Sequence, residues 1–220
     1  MSLNFKEVCK IITLEINKIP TNWDGKNAIL EMKNANARWR DMEWIGFYFE
    51  FLCKKFLSGI LKIPYSKKYG KTSFDGFFEF PWDFKVHAFE SGKKVIINDS
   101  QAISSAIKEH GHVGLIIVIG NVQYDNVNGD FYNWHQELKG QLTDYVKKRI
   151  ARGKAARKRK VSLKIFKILF LRIDDDLLIQ CGTFQKDFRN SNGKPRRSKV
   201  LLDLTKINDH VECIIDYTKS

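Results

Sequence analysis

The sequence predicts a mixed α/β fold, in which helices flank one central mixed sheet and a basic, β-rich region follows. Three observations predict it. Residues 82–88 alternate in character, as a strand with one buried face does. Residues 113–119 form a continuous apolar run, which suits a strand buried on both faces. Helix-period stretches stand before the first of these strands and between the two.

From the N-terminus, residues 4–18 carry Phe5, Val8, Ile12 and Ile16 at helical spacing, and Pro20 stops that helix. Residues 21–40 read as a polar loop apart from a short apolar piece at 28–32. Asp41 is placed to cap a helix over 42–57, which Gly59 and Pro64 end. Strands are expected at 73–80, 82–88 and 94–98. Asp99 or Ser100 caps a helix to about His110, and the buried strand at 113–119 follows. The order over residues 42–120 is thus helix, strand, strand, strand, helix, strand. Beyond it, 131–152 reads as one helix. Segments 163–173 and 177–183 read as a hairpin with residues 174–176 in its turn. A turn at 193–195 and late strands at 200–204 and 212–217 complete the chain. One domain is expected over 1–220, with its core at about 42–120 and elaborations at about 121–220.

The 220 residues carry 38 basic and 25 acidic side chains, a net charge of +13. Such a bias favours polyanionic partners. Nine Lys and Arg residues and no acid lie between Lys147 and Lys160; without them the net charge is +4. A one-signed run repels itself unless a polyanion lies nearby, which points to nucleic acid rather than a plain solvated helix face. Cys9, Cys53, Cys181 and Cys213 are far apart, with neither zinc-ligand nor redox-pair spacing, and read as reduced thiols of a cytoplasmic protein. The N-terminal twenty residues mix Lys and Glu among apolar residues, unlike a signal peptide, and no apolar stretch is long enough to span a bilayer.

The chemistry is concentrated in residues 74–87, FDGFFEFPWDFKVH. In an extended strand Asp83, Lys85 and His87 share one face, and Phe84, Val86 and Ala88 the other. Asp75 lies on the preceding strand-like piece, which can pair alongside. Two carboxylates and a lysine would then converge. Carboxylates of this kind hold Mg²⁺, a hard cation that prefers oxygen, and a neighbouring lysine stabilises charge on a phosphate as a bond to it breaks.

Asp75 followed by Asp83-Phe84-Lys85 resembles the PD-(D/E)XK signature of type II restriction endonucleases. The element order over 42–120 is similar to that family's αβββαβ core, and residues 39–50 and 81–87 are also similar to stretches of restriction enzymes. The resemblance implies a Mg²⁺-dependent endonuclease acting on double-stranded DNA at a short specific sequence, working as a homodimer. Asp75, Asp83 and Lys85 would be catalytic, with Asp75 and Asp83 holding the metal. The family often adds an acid from the helix before the motif. Glu43 and Glu50, seven apart, share one helix face, and Glu50 is favoured; its other reading is a surface partner of Lys54. His87 has two readings, a phosphate contact or a hydrogen-bonded strand histidine.

A rival set, Asp24 with Glu31-Met32-Lys33, fits the same degenerate pattern and ranks second. For DNA binding, Lys147, Lys148, Arg149, Arg152, Lys154 and Arg157 are the expected phosphate contacts. Arg189, Asn190, Asn192, Arg196 and Arg197 carry side chains suited to base edges, or simply line a polar hairpin loop. Trp134 and His135 either meet DNA or belong to the core. A non-catalytic nucleic-acid binder and a repair nuclease of the same fold are the alternative functions.

Overall fold

The computed structural model describes residues 3–63, 74–142, 144–153, 158–185 and 197–219. In chain order the elements are α1 (Phe5–Ile16), β1 (Asn22–Asp24), α2 (Gly25–Asn34), α3 (Trp44–Leu57), β2 (Gly76–Phe78), β3 (Phe80–Ala88), β4 (Lys94–Asp99), α4 (Ser100–His110), β5 (Val113–Tyr124), α5 (Asp130–Lys139), α6 (Asp144–Ala151), β6 (Lys160–Ile173), α7 (Asp175–Cys181), β7 (Gly182–Gln185), β8 (Lys199–Asp203) and β9 (Val211–Asp216).

The expected α/β class is correct, but the strands form two sheets. The larger runs β1-β6-β5-β3-β2, with β9 also paired to β6; the smaller runs β4-β8-β7. β3 and β5 are parallel, and the remaining pairs of the large sheet are antiparallel. The order α3, β2, β3, β4, α4, β5 appears as expected, yet β4 leaves the central sheet to pair with β8. The sheet also extends beyond residue 120, because β6 lies between β1 and β5 rather than in a separate elaboration.

The large sheet divides two hydrophobic cores. On β5, Ile116 and Val118 face the core covered by α1, α2 and α3, while Leu115 and Ile117 face the core of α4, α7 and the small sheet. This double burial explains the unbroken apolar run at 113–119. β6 serves the first core with Leu163 and Ile165, then with Ile168 and Phe170. The parity changes because the register slips between Ile119 and Gly120, a bulge that inserts one residue into β6. β9, paired to β6, also packs on α1: Thr13 Oγ1 lies 3.8 Å from Cys213 Sγ, and Tyr217 donates to Asn17.

Several local expectations need correction. Residues 21–40 contain β1 and α2, not a loop. Asp24 caps α2 by accepting the Asn27 N–H at 2.9 Å, and Gly25, Ala28, Ile29 and Met32 form its buried stripe. Asp41 pairs with Arg38 instead of capping α3, whose N-cap position is Glu43. The single helix over 131–152 is α5 and α6, because Gly140 takes a left-handed conformation (φ 72°) that ends α5. Asp174 does not sit in a hairpin turn; it accepts the Leu177 N–H and caps α7. Among the described residues, no helix is long and apolar enough to cross a membrane. All four cysteines are free thiols.

Candidate active site

Among the described residues, Trp82 is where β3 is paired on both sides. β2 covers Phe80–Trp82; from Asp83 on, β3 has β5 on one side and, among the described residues, no paired strand on the other. Trp82 anchors the covered end: it is fully buried, stacks near Phe5 and Phe80, and sits opposite Gly114. A Cβ on Gly114 would lie 2.4 Å from the Trp82 ring, so only glycine admits the indole there.

Asp75 bridges the β2-paired part of β3 and the part beyond it. Its backbone N–H donates to the Trp82 carbonyl, and its Oδ2 accepts the Phe84 N–H at 2.8 Å. The carboxylate thus satisfies a backbone donor where the β2 ladder has ended. The register puts Asp83 and Lys85 opposite Leu115 and Ile117, on the face predicted from their spacing. Lys85 Nζ lies 2.6 Å from Asp83 Oδ2 and 4.0 Å from Asp75 Oδ2, and donates to the Phe84 carbonyl at 3.1 Å. The sequence-predicted trio is therefore brought to one point.

Glu50 reaches the same region from α3. It lines a cleft of about 270 Å³ together with Lys85, Phe84, Val86, Glu43 and Lys160. Burial and the charge of Asp75 push the Glu50 carboxyl up to about 7, with Lys85 opposing them. Asp83 is only 3% exposed, and its Oδ2 makes no well-aligned hydrogen bond despite the nearby ammonium. Burial raises its carboxyl to about 8; Lys85 pulls it down and Asp75 pushes it up. Asp83 and Asp75 hold the Lys85 ammonium above its ordinary range against the pull of burial.

An excess of buried carboxylate with an under-satisfied oxygen suits a hard divalent cation, which takes one or two carboxylates and keeps waters. Among the described residues no three His, Cys, Asp or Glu side chains already form a closed metal cage. The donor set that fits is Asp75 and Asp83, with Glu50 nearby.

The other candidates fall out differently. His87 is buried, with Nε2 2.8 Å from the Gly92 carbonyl, so it is a hydrogen-bonded strand histidine. Glu43 pairs with Lys160 across the cleft at 3.6 Å. The rival trio has separate duties: Asp24 caps α2, Glu31 accepts from Tyr48 and Lys55, and Lys33 lies over the Trp39 ring. Glu31 and Lys33, two apart on a helix, point different ways. Two residues at the site went unread in the sequence. Asn98 on β4 donates to Asp83 Oδ1 at 3.5 Å, and Lys160 forms part of the cleft wall. Asn98 carries no motif, and Lys160 was hidden within a longer basic run.

Of the expected DNA contacts, Lys147, Lys148 and Arg152 are exposed on or just after α6. Arg149 is half-buried and donates to the Tyr132 hydroxyl at 3.0 Å. Arg197 is exposed and pairs with Asp99, the cap of α4, at 3.4 Å. Lys154, Arg157, Arg189, Asn190, Asn192 and Arg196 lie outside the described residues. Trp134 packs against the first core, and His135 is fully buried. No family model, curated protein or solved structure matches this chain.

Proposed function

We propose that this chain is a Mg²⁺-dependent endonuclease of the PD-(D/E)XK kind, a type II restriction enzyme that hydrolyses duplex DNA at a short specific sequence and acts as a homodimer. The observation that carries the reading is the meeting of Asp75, Asp83 and Lys85 on β3 just past the end of its β2 pairing, beside a cleft that Glu50 enters. A basic chain with exposed lysines on α6 supports a polyanionic substrate.

Asp75 and Asp83 would hold the cation, with Glu50 as the accessory acid. When bound, the cation supplies charge neutralisation and a more acidic water. In the hydrolysis itself a water oxygen attacks phosphorus, one P–O bond breaks, and the departing oxygen takes a proton. The part of Lys85 would be to donate hydrogen bonds and offset the negative charge that grows on the phosphate. Asp75 holds the strand carrying Lys85 in place through the Phe84 N–H.

One observation favours a second reading, a non-catalytic nucleic-acid binder: the 2.6 Å contact between Lys85 and Asp83 is also what a structural ion pair has. Incubation with plasmid DNA and Mg²⁺, with and without a chelator, separates the two. Discrete, metal-dependent fragments are expected. Binding without cutting would favour the binder, and cutting only at branched or nicked DNA would favour a repair nuclease of this fold.

A further inference from the structure

We propose that Asn98, at the end of β4, is a positioning residue of the metal site: its side-chain amide holds Asp83 Oδ1 and so sets the plane in which Oδ2 is offered to a divalent cation. The inference rests on the metal-dependent nuclease reading of that site. Asn98 belongs to the other sheet, because β4 pairs with β8 and not with β3. What brings it to Asp83 is an irregularity in β4. Ile96 stands opposite Leu201 and Asp99 opposite Lys199, so Ile97 and Asn98 together face the single residue Val200. This is a β-bulge, with one residue more on β4 than on its partner. Strict alternation would put Asn98 on the side of Ile96, which is 43% exposed. The extra residue turns the strand, and Asn98 Nδ2 comes 3.5 Å from Asp83 Oδ1.

The amide is itself held. Its Oδ1 accepts the Asp99 N–H at 2.8 Å, which leaves the end that carries the hydrogens toward Asp83. Asp99 is anchored in turn. Its carboxylate accepts the Ala102 N–H at 2.8 Å as the cap of α4, and its other oxygen pairs with Arg197 at 3.4 Å. The Ser100 N–H donates to the Ser198 carbonyl at 3.0 Å, just before β8. Asn98 therefore projects from backbone tied to both α4 and the small sheet. A side chain fixed in this way can orient the group it touches.

The two oxygens of Asp83 have different neighbours. Oδ1 meets a neutral donor, whereas Oδ2 faces Lys85 Nζ at 2.6 Å and makes no well-aligned hydrogen bond. A carboxylate free to turn about its Cβ–Cγ bond would present either oxygen. The amide removes that equivalence, because a donor on Oδ1 leaves Oδ2 on the side of Lys85 and Asp75. At 3.5 Å the bond is long, so its part is direction rather than strength. A neutral amide suits that part. A charged donor in its place would compete with a cation for the carboxylate, whereas an amide orients the group and leaves its charge available.

The test titrates the full chain, without DNA, with Mn²⁺ in place of Mg²⁺, and electron paramagnetic resonance reads the free ion. Asn98→Ser lacks the amide, yet its hydroxyl can still serve the Asp99 N–H. Asn98→Leu keeps the size and has no donor. Each is expected to weaken Mn²⁺ binding about tenfold, with a metal-free Tm near that of the wild type in Asn98→Ser. In the Asp83→Asn background the same substitutions are expected to move Mn²⁺ affinity by less than about twofold, since the carboxylate they orient is gone. In plasmid digestion kcat is expected to fall and the Mg²⁺ requirement to rise, while KM for DNA stays. Unchanged Mn²⁺ affinity in either folded variant would overturn the proposal. So would an equal loss with and without the Asp83 carboxylate, which marks damage to the fold rather than a lost orientation. A wild-type chain that binds Mn²⁺ through Asp83 and Asn98 but does not cut DNA would support the positioning role and fail the nuclease reading alone.

Discussion

The Asp75 carboxylate accepts the backbone N–H of Phe84 at 2.8 Å, and so completes the hydrogen bonding of the strand that carries Asp83 and Lys85. One side chain therefore has a structural duty and a chemical one, and the two can be separated. Asp75→Asn keeps an acceptor for Phe84 and loses the charge. It is expected to unfold at nearly the wild-type denaturant concentration while cutting at least 100-fold more slowly, as measured by urea titration and plasmid digestion. Asp75→Ala loses both and is expected to cost a further 1–3 kcal/mol, roughly the penalty of an orphaned buried donor.

Lys85→Met leaves Asp83 buried without its cation. Breaking such a pair costs about 3–5 kcal/mol while the remaining group is ionised. Since burial already raises the Asp83 carboxyl to about 8, the variant is expected to keep Asp83 protonated at neutral pH and to lose stability mainly above that range. Urea unfolding at pH 6 and pH 9 measures the difference. Lys85→Met with Asp83→Asn is expected to recover most of the loss at pH 9, a coupling that a double-mutant cycle reads directly.

Glu50 has its ordinary value of 4.5 raised to about 7. Between those two pH values the unfolded chain has released the proton and the folded chain still holds it. Stability therefore falls as pH rises through this window. The decline amounts to roughly 1–3 kcal/mol, and Glu50→Gln is expected to abolish it. A divalent cation counters the repulsion that appears once Glu50 is ionised. Mg²⁺ is accordingly expected to raise the Tm more at pH 8 than at pH 5.5, and equal shifts at both would remove Glu50 from the metal site.

Gly114→Ala places a methyl group against the Trp82 ring, where 2.4 Å is available. Trp82 is fully buried between Phe5 and Phe80 and has no room to withdraw. A loss of at least about 1–3 kcal/mol is expected from overpacking. Because Trp82 immediately precedes Asp83, metal-dependent cutting should fall as well, and near-ultraviolet circular dichroism should report the displaced indole.

The strands of the site could be read because their patterns are local. Spacing by two placed Asp83 and Lys85 on one face, and the run at 113–119 identified a strand buried on both. Asp75 was placed near them by adjacency along the chain. What could not be read depends on partners remote in sequence. β4 alternates as a strand should, but nothing within it says that its neighbour is β8 rather than β3. α2 was missed because its polar residues suggest a loop, although Ala28, Ile29 and Met32 hold helical spacing once Asp24 is taken as the cap. The buried state of Lys139 and Arg159 was hidden for the opposite reason: basic residues in a basic chain look like surface, and the packing of Arg40 and Met42 onto the end of α5 is a contact remote in sequence.

The pairing of β9 with β6 and its packing on α1 also govern how the chain acquires its structure. Thr13 meets Cys213 across 200 positions of sequence. During synthesis α1 emerges long before β9; Phe5 can already meet Phe80 and Trp82, but the part of α1 that packs on β9 must wait until that strand has left the ribosome. Contacts of such long range slow folding and prolong the exposure of sticky surface. Completion of this closure, rather than formation of the cleft, is thus expected to be the late event in folding, and loss of β9 would uncover the side of α1 that carries Thr13.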